Sequence, residues 1–382
     1  MRKICIVVGS RANYSSIKSA MRAIQNHPNL KLQLVLGASA LLDRYGKVGS
    51  QIKEDGFDPV AEVFMLIEGE TPTTMAKSTG VGLMELPTVF ERIKPDIVLT
   101  VGDRFETMAT TLAAAYMNLP IAHTMGGEVS GTIDESIRHA VTKFAHIHFP
   151  ASREAKDRII KLGERGEDVY LVGCPRIDLV AEILNDGSEG LEKSLKGGVG
   201  GKVKINEPFI LVSQHPVTTE YGEGEKQIAM TLQAVWKTGL PAIVLWPNAD
   251  AGSDDIARGM RKWREKGLDE HMHFYKNLPV EHYIHLMKKT SCLMGNSSSG
   301  IREGAYIGTP VVNIGTRQDR REQGKNVLDV PYKGSKISDA LEKQIINGPY
   351  DTEPIYGDGT AGKQIANILA KCNWKIQKRI TY

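Results

Sequence analysis

Short apolar runs alternate with amphipathic helical patterns along almost the whole chain, and this alternation constrains the fold more than any other feature. In the first half the runs are "KICIVVG" (3–9), "LKLQLVLGA" (30–38), "DIVLTVG" (96–102), "PIAHTM" (120–125), "HIHFPAS" (146–152) and "VYLVG" (169–173). Between them lie helix patterns such as "SSIKSAMRAIQNH", "ETMATTLAAAYMN" and "REAKDRIIKLG". Strands that are apolar on both faces must be covered on both, and helical crossovers do that, so the pattern predicts a parallel, doubly wound sheet. Residues 185–208, "NDGSEGLEKSLKGGVGGKVKINEP", are rich in glycine and lysine and carry no period, which reads as a linker. The alternation then restarts with "FILVSQHP", "PAIVLWPN", "SCLMGN" and "PVVNIG". The expected architecture is α/β: two doubly wound, Rossmann-like domains facing each other across a cleft. The expected bounds are 1–180 and 207–365, a linker over 181–206, and a C-terminal helix within 366–382 whose packing partner the sequence leaves open.

Composition narrows the function classes. The chain has 382 residues, long for one core, and a formal charge of +3 from 48 basic and 45 acidic residues. That balance gives no bulk basic field to recommend nucleic acid as a partner. No apolar run approaches the ~18 residues of a membrane span. The N-terminus enters a buried strand pattern rather than a signal peptide. Cys5, Cys174, Cys292 and Cys372 form no C-x-x-C pair and no metal-like spacing, so reduced thiols in a cytoplasmic protein are expected, with no metal.

Open parallel sheets bind ligands beyond the carboxyl ends of their strands. Polar residues cluster at those ends: Ser10 and Arg11, Asp103 and Arg104, Glu128, His215, Asn248, Asn296 to Ser298, and Arg317. The run "GNSSSGIREG" (295–304) passes from a strand end through three serines into a helix. Backbone N–H groups at a helix N-terminus hold an anion, and small serines allow close approach while adding hydroxyl donors. Glu303 falls one turn into that helix, where a carboxylate suits the two hydroxyls of a ribose; the plainer alternative is a capped helix with an acid in its first turn. There is no G-K-[ST] and no G-x-G-x-x-G, so the usual signatures of ATP hydrolysis and nicotinamide chemistry are missing. Arg11, Arg104, His215 and Arg317 supply positive charge for a diphosphate, and the planar fork of arginine suits that task.

The stretch "HTMGGEVSGTIDESIRHAVTKFAH" (123–146) carries the acids. Asp103 and Glu128 end two strands that are consecutive in sequence and so expected to be neighbours. Thr132 and Glu135 match a capping box, which gives Glu135 a structural role. Asp134 either reaches the cleft or pairs with Arg138 one turn on. His123 lies inside an apolar strand, where a packed histidine is the commoner outcome.

At this point the motifs match a family. "GSRANYSS", "VGDRFETMA", "HTMGGEVSGTIDESIRHAVTKFAH", "SQHP" and "GNSSSGIREGAYIGTPVVNIGTRQDRRE" resemble, in order and over residues 4 to about 325, the hydrolysing UDP-N-acetylglucosamine 2-epimerases of sialic-acid synthesis. The resemblance implies a GT-B arrangement and no cofactor. It also implies a homodimer or higher assembly. The implied reaction is anti-elimination of UDP across carbons 1 and 2 of the sugar, then hydration of the glycal to N-acetylmannosamine. Asp103 and Asp134 match family acids, His123 and Glu128 match neighbouring motif positions, and these four are the candidate catalytic set. Arg11, Ser15, Arg104, His215, Asn248, Ser297, Ser298, Glu303 and Arg317 match nucleotide-binding positions, with Leu278 near the base.

Two departures bear on mechanism. Some relatives carry a catalytic carboxylate two residues after the strand histidine, where this chain has Met125. Methionine cannot transfer a proton, so Glu128 or Asp134 is expected to cover the step; otherwise the position varies with substrate or the chain is impaired. Asn13 also stands where relatives often have aspartate. Competing readings are the same chemistry on UDP-2,4-diacetamido-2,4,6-trideoxyglucose, with a pocket shaped by Met125 and residues 68–80, the reversible non-hydrolysing epimerase, a GT-B glycosyltransferase, and a silent sugar-nucleotide sensor. The reversible enzyme's H-x-E-A-G-L-R run is absent.

Overall fold

The computed structural model describes residues 1–43, 48–69, 71–186, 197–247, 251–276 and 278–381. They divide into two compact units, one of Met1–Glu128, Ile133–Leu179 and Tyr356–Tyr382, the other of Val129–Thr132 and Val180–Ile355. Of the linker expected over 181–206, residues 187–196 lie outside the described residues, whereas 181–186 instead complete the Pro175–Asp186 helix and Val199–Gly200 form a short strand. The second domain was expected to run to residue 365, whereas the chain rejoins the first unit from Tyr356.

The sheet of the first unit contains β1 (Arg2–Val8), β2 (Leu30–Gly37), β3 (Pro59–Val63), β4 (Ile97–Val101), β5 (Ile121–Thr124) and β6 (Ile147–Phe149). Their order is β3-β2-β1-β4-β5-β6, parallel throughout. The chain winds outward from β1 to β3 and then restarts at β4 on the other side of β1. That reversal makes the carboxyl ends of β1 and β4 the switch point where such sheets bind ligands. Asn13 spans it: its Oδ1 accepts from Gly9 N at 3.3 Å and its Nδ2 donates to Val101 O at 3.2 Å. Gly9 is glycine because a Cβ there would lie 2.4 Å from the Glu106 Cγ. Behind the sheet, Leu86 and Phe90 of the Pro72–Ile93 helix and Ala109, Ala113 and Ala114 of the Phe105–Tyr116 helix pack on Cys5, Val35 and Val98.

Two elements differ from the sequence reading. "VYLVG" contributes only a single bridge, Val169 to His148. Conversely β3 was not anticipated; its Pro59 is tolerated because it opens an edge strand, where a missing N–H costs little. Residues 71–80 form the cap and first turns of the Pro72–Ile93 helix, with Thr71 and Thr74 making a reciprocal capping box. The helix Ala361–Lys371 packs on the Lys18–Gln25 helix. Asp178 fastens its N-terminus: the carboxylate accepts from Ala361 N at 3.0 Å, Gly362 N at 2.7 Å and Ser19 Oγ at 2.9 Å.

The second sheet has the order β13-β12-β11-β8-β9-β10-β7. Its members are β7 (Val199–Gly200), β8 (Ile210–Ser213), β9 (Ala242–Leu245), β10 (Met272–Tyr275), β11 (Cys292–Gly295), β12 (Val311–Ile314) and β13 (Val327–Val330). All neighbours are parallel except the edge pair β10 and β7. The unanticipated β10 and β13 each carry a polar residue at an incompletely buried interior position, His273 and Asp329, which interrupts the apolar run. The carboxyl ends of β8, β11, β12 and β13 therefore share one rim, and the Ser298–Ile307 helix begins there.

Candidate active site

In the first unit the acids are organised by a residue that sequence reasoning treated as a local partner. Arg138, in the Ile133–Phe144 helix, is 1% exposed. Its Nη2 is paired with Asp103 Oδ2, and its Nη1 donates to the Glu128 main-chain carbonyl at 2.8 Å. One guanidinium thus ties the loop after β4 to the loop after β5. Asp103 remains about one-fifth exposed, whereas Glu128 is buried. Asp134 lies in the first turn of the same helix as Arg138 and is half-buried. Glu135 faces His139 at 3.8 Å.

His123 is enclosed within the unit. The ring is fully buried, with Nε2 at 2.8 Å from Gly102 O and Nδ1 at 3.3 Å from Thr142 Oγ1. Burial pushes its pKa down to about 3, outweighing the hydrogen bond to the Gly102 carbonyl, so the ring is neutral at ordinary pH. Its contacts instead join the turn that precedes Asp103 to the helix that carries Arg138.

Met125 is 4% exposed and sits at φ +58°, a left-handed conformation that non-glycine residues seldom adopt. Its Sδ lies 3.4 Å from Cys174 Sγ. The following Gly126 and Gly127 have no room for a side chain, since a Cβ on Gly127 would lie 2.2 Å from Ala155 O. The methionine is therefore packed wall in a tightly folded loop.

Of the expected cationic residues of this unit, Arg104 is paired locally. Arg104 Nε bonds Glu106 Oε1 at 2.9 Å. Arg11 opens a short helix and is half-buried; Ser15, at its end, receives a hydrogen bond from Arg176 Nη1.

In the second unit, Ser297 caps the Ser298–Ile307 helix, accepting from Ser299 N at 3.3 Å. Ser297 and Ser298 are half-exposed, whereas Ser299 turns inward to Tyr283 OH at 2.5 Å. His215 follows β8, and its main chain is gripped by Asn296. Arg317 follows β12 and donates to Asn296 O at 3.2 Å. Glu303 and Leu278 are buried in the same unit, and Asn248 lies outside the described residues. Tyr332 crosses the end of β12 over Gly315, where a Cβ would lie 2.3 Å from the ring, and its hydroxyl lies 3.4 Å from both Gln214 Nε2 and Asn296 Nδ2. Burial pushes the Tyr332 phenol pKa up, so it remains a hydroxyl. Among the described residues no cluster of three or more His, Cys, Asp or Glu could hold a metal ion, and no helix is long and apolar enough to cross a membrane.

Two doubly wound sheets with polar groups at their strand ends define a GT-B-like α/β protein. The solved structure of Neisseria meningitidis UDP-GlcNAc 2-epimerase bound to UDP-GlcNAc has this fold, with a TM-score of 0.81 at 18% identity over 96% of this chain and 99% of that one. The sequence profile described as UDP-N-acetylglucosamine 2-epimerase matches residues 22–370. The chain belongs to that epimerase family. Among its relatives, the Legionella pneumophila UDP-N,N'-diacetylbacillosamine 2-epimerase (hydrolyzing) is 31% identical, with 98% of this chain and 99% of that protein covered. The Neisseria meningitidis UDP-N-acetylglucosamine 2-epimerase is 28% identical, with 97% and 95% covered.

Proposed function

We propose that the protein is a hydrolysing 2-epimerase that converts UDP-GlcNAc and water to N-acetylmannosamine and UDP. The carrying observation is near full-length similarity to two relatives, one whose name specifies hydrolysis and one named for UDP-N-acetylglucosamine. In this reading a base removes the carbon-2 proton as UDP leaves carbon 1. Water then adds across the resulting glycal, its hydroxyl to carbon 1 and a proton to carbon 2 on the opposite face. Asp103, Glu128 and Asp134 are the proposed acids and bases, and His123 becomes a positioning residue. Arg11, Ser15, Arg104, His215, Asn248, Leu278, Ser297, Ser298, Glu303 and Arg317 are the proposed UDP-sugar contacts. The product would serve sialic-acid synthesis, in a cytoplasmic homodimer or higher assembly.

A second reading keeps the chemistry and changes the sugar. The Legionella relative is named for UDP-N,N'-diacetylbacillosamine, and Met125 is a buried apolar residue three positions before Glu128. Incubation with each UDP-sugar and water alone separates the readings. Free N-acetylmannosamine plus UDP supports the first, and release of UDP from the diacetamido sugar alone supports the second. Formation of UDP-ManNAc would mean the reversible enzyme, and no turnover of either sugar would reject both.

A further inference from the structure

Asn296 follows β11 and is 1% exposed. Its side chain makes two hydrogen bonds to the main chain of one distant residue: Oδ1 accepts from His215 N at 2.7 Å, and Nδ2 donates to His215 O at 2.8 Å. This pair continues the β8–β11 ladder past its last register point, Gly295 opposite Ser213. The strands approach closely there, since a Cβ on Gly295 would lie 2.2 Å from Ser213 O. The main-chain carbonyl of Asn296 meanwhile accepts from Arg317 Nη1 at 3.2 Å and from Gln318 Nε2 at 2.9 Å. The next residue, Ser297, caps the helix.

We propose that Asn296 is a positioning residue for the nucleotide. Its amide fixes His215 relative to Ser297, Ser298 and Arg317, so that a nucleoside diphosphate meets a set of donors already assembled. The proposal rests on the reading of this rim as the UDP site. The chemistry requires an amide, because the side chain must accept from an N–H and donate to a carbonyl at once. Aspartate can accept but not donate. Alanine leaves two buried main-chain groups without their partner.

The test is a double-mutant cycle read by calorimetric titration with UDP, using Asn296→Ala, His215→Ala and the double variant in the full chain. If Asn296 acts through His215, Asn296→Ala weakens UDP binding about tenfold or more in the wild-type background and less than about threefold in the His215→Ala background. A purely structural role predicts the same loss in both backgrounds, and that result overturns the proposal. Asn296→Asp, which keeps one of the two bonds, provides the same cycle should the alanine variant not fold. Failure of the wild-type protein to bind UDP overturns the nucleotide reading and this proposal together, whereas binding without coupling overturns this proposal alone.

Discussion

Arg138 and Asp103 form an ion pair across 35 positions of sequence, with the arginine at 1% side-chain exposure and the aspartate at 21%. This pairing changes what a mutation at Asp103 means. A guanidinium buried to that depth depends on its counter-charge, and removing one member of a buried pair costs ~3–5 kcal/mol. Asp103→Ala is therefore expected near the top of that range and Arg138→Met below it, because a bared Asp103 still reaches water. The double variant should be less destabilised than Asp103→Ala alone. Urea denaturation measures this, and strictly additive losses would show the pair to be uncoupled. Asp103→Asn keeps shape and an acceptor; per folded molecule it should turn over ~100-fold more slowly while binding UDP nearly as wild type, in line with a lost acid–base group.

His123 gives a pH dependence with a definite sign. Its folded pKa, about 3, lies below the ordinary 6.5, so the unfolded chain binds the extra proton between those values. Stability is full above about 6.5 and falls as the pH drops toward 3. Glu164 acts in a lower window. Burial raises its pKa, but hydrogen bonds from His148, Lys143 and Lys378 outweigh burial and hold it at about 2, against 4.5 unperturbed. Its contribution is intact above 4.5 and lost on further acidification. His123→Gln should thus shrink the stability difference between pH 7.5 and pH 5 measured by urea melts. An unchanged difference would remove His123 from the account of acid sensitivity.

Asp178 should behave as a remote helix cap. Hydrogen bonds to a charged group contribute ~1.5–3 kcal/mol, and this carboxylate receives two from the first turn of the Ala361–Lys371 helix and one from Ser19. Asp178→Ala is expected to lower stability by about that range. It should also speed hydrogen exchange at the Ala361 and Gly362 amides. Loss of stability with those amides still protected would place the effect elsewhere.

How much of this was legible beforehand follows from the range of each interaction. The long apolar runs such as "KICIVVG" declare themselves, because burial on both faces leaves no polar positions. The strand Met272–Tyr275 does not, because His273 interrupts its apolar run. Ser297 as a cap was visible from a strand end running into a helix pattern, whereas Arg138 was seen only beside Asp134, its neighbour one turn away. Its bond to Asp103 depends on β4 and β5 lying side by side, and no local pattern encodes which distant carboxylate an arginine meets. Asn13 is similar: the substitution for aspartate looked mild, yet the amide both donates and accepts across the β1–β4 switch point, which a carboxylate cannot do.

Ser297→Ala and Arg317→Ala should each weaken UDP binding while leaving the fold intact, since both side chains are half-exposed on the rim of the second sheet. A lost hydrogen bond to a charged group corresponds to ~1.5–3 kcal/mol of binding free energy. Calorimetric titration with UDP decides it, and unchanged affinity in both would take the serine-rich loop out of the site.

Met125 is the position where packing and chemistry are most easily confused. The residue is buried, left-handed in backbone and in contact with Cys174, so its side chain is wall. Met125→Leu keeps volume, adds no polar group and inherits the same backbone strain; volume-conserving swaps of this kind cost less than ~1.5 kcal/mol. Turnover should therefore survive it. Glu128 is buried nearby in sequence, and its main-chain carbonyl is tied to Arg138. Glu128→Gln keeps the side chain's outline but cannot exchange a proton, and activity should fall steeply with little change in thermal stability. The two variants are informative as a pair with melts recorded for both. A normal Glu128→Gln beside a failing, well-folded Met125→Leu would reverse the assignment and make the methionine a substrate contact. Normal activity in both would leave Asp103 and Asp134 as the working acids. Met125→Glu adds the last arm: if a carboxylate there raises turnover of UDP-GlcNAc well above wild type, the native methionine tunes the pocket to a different sugar.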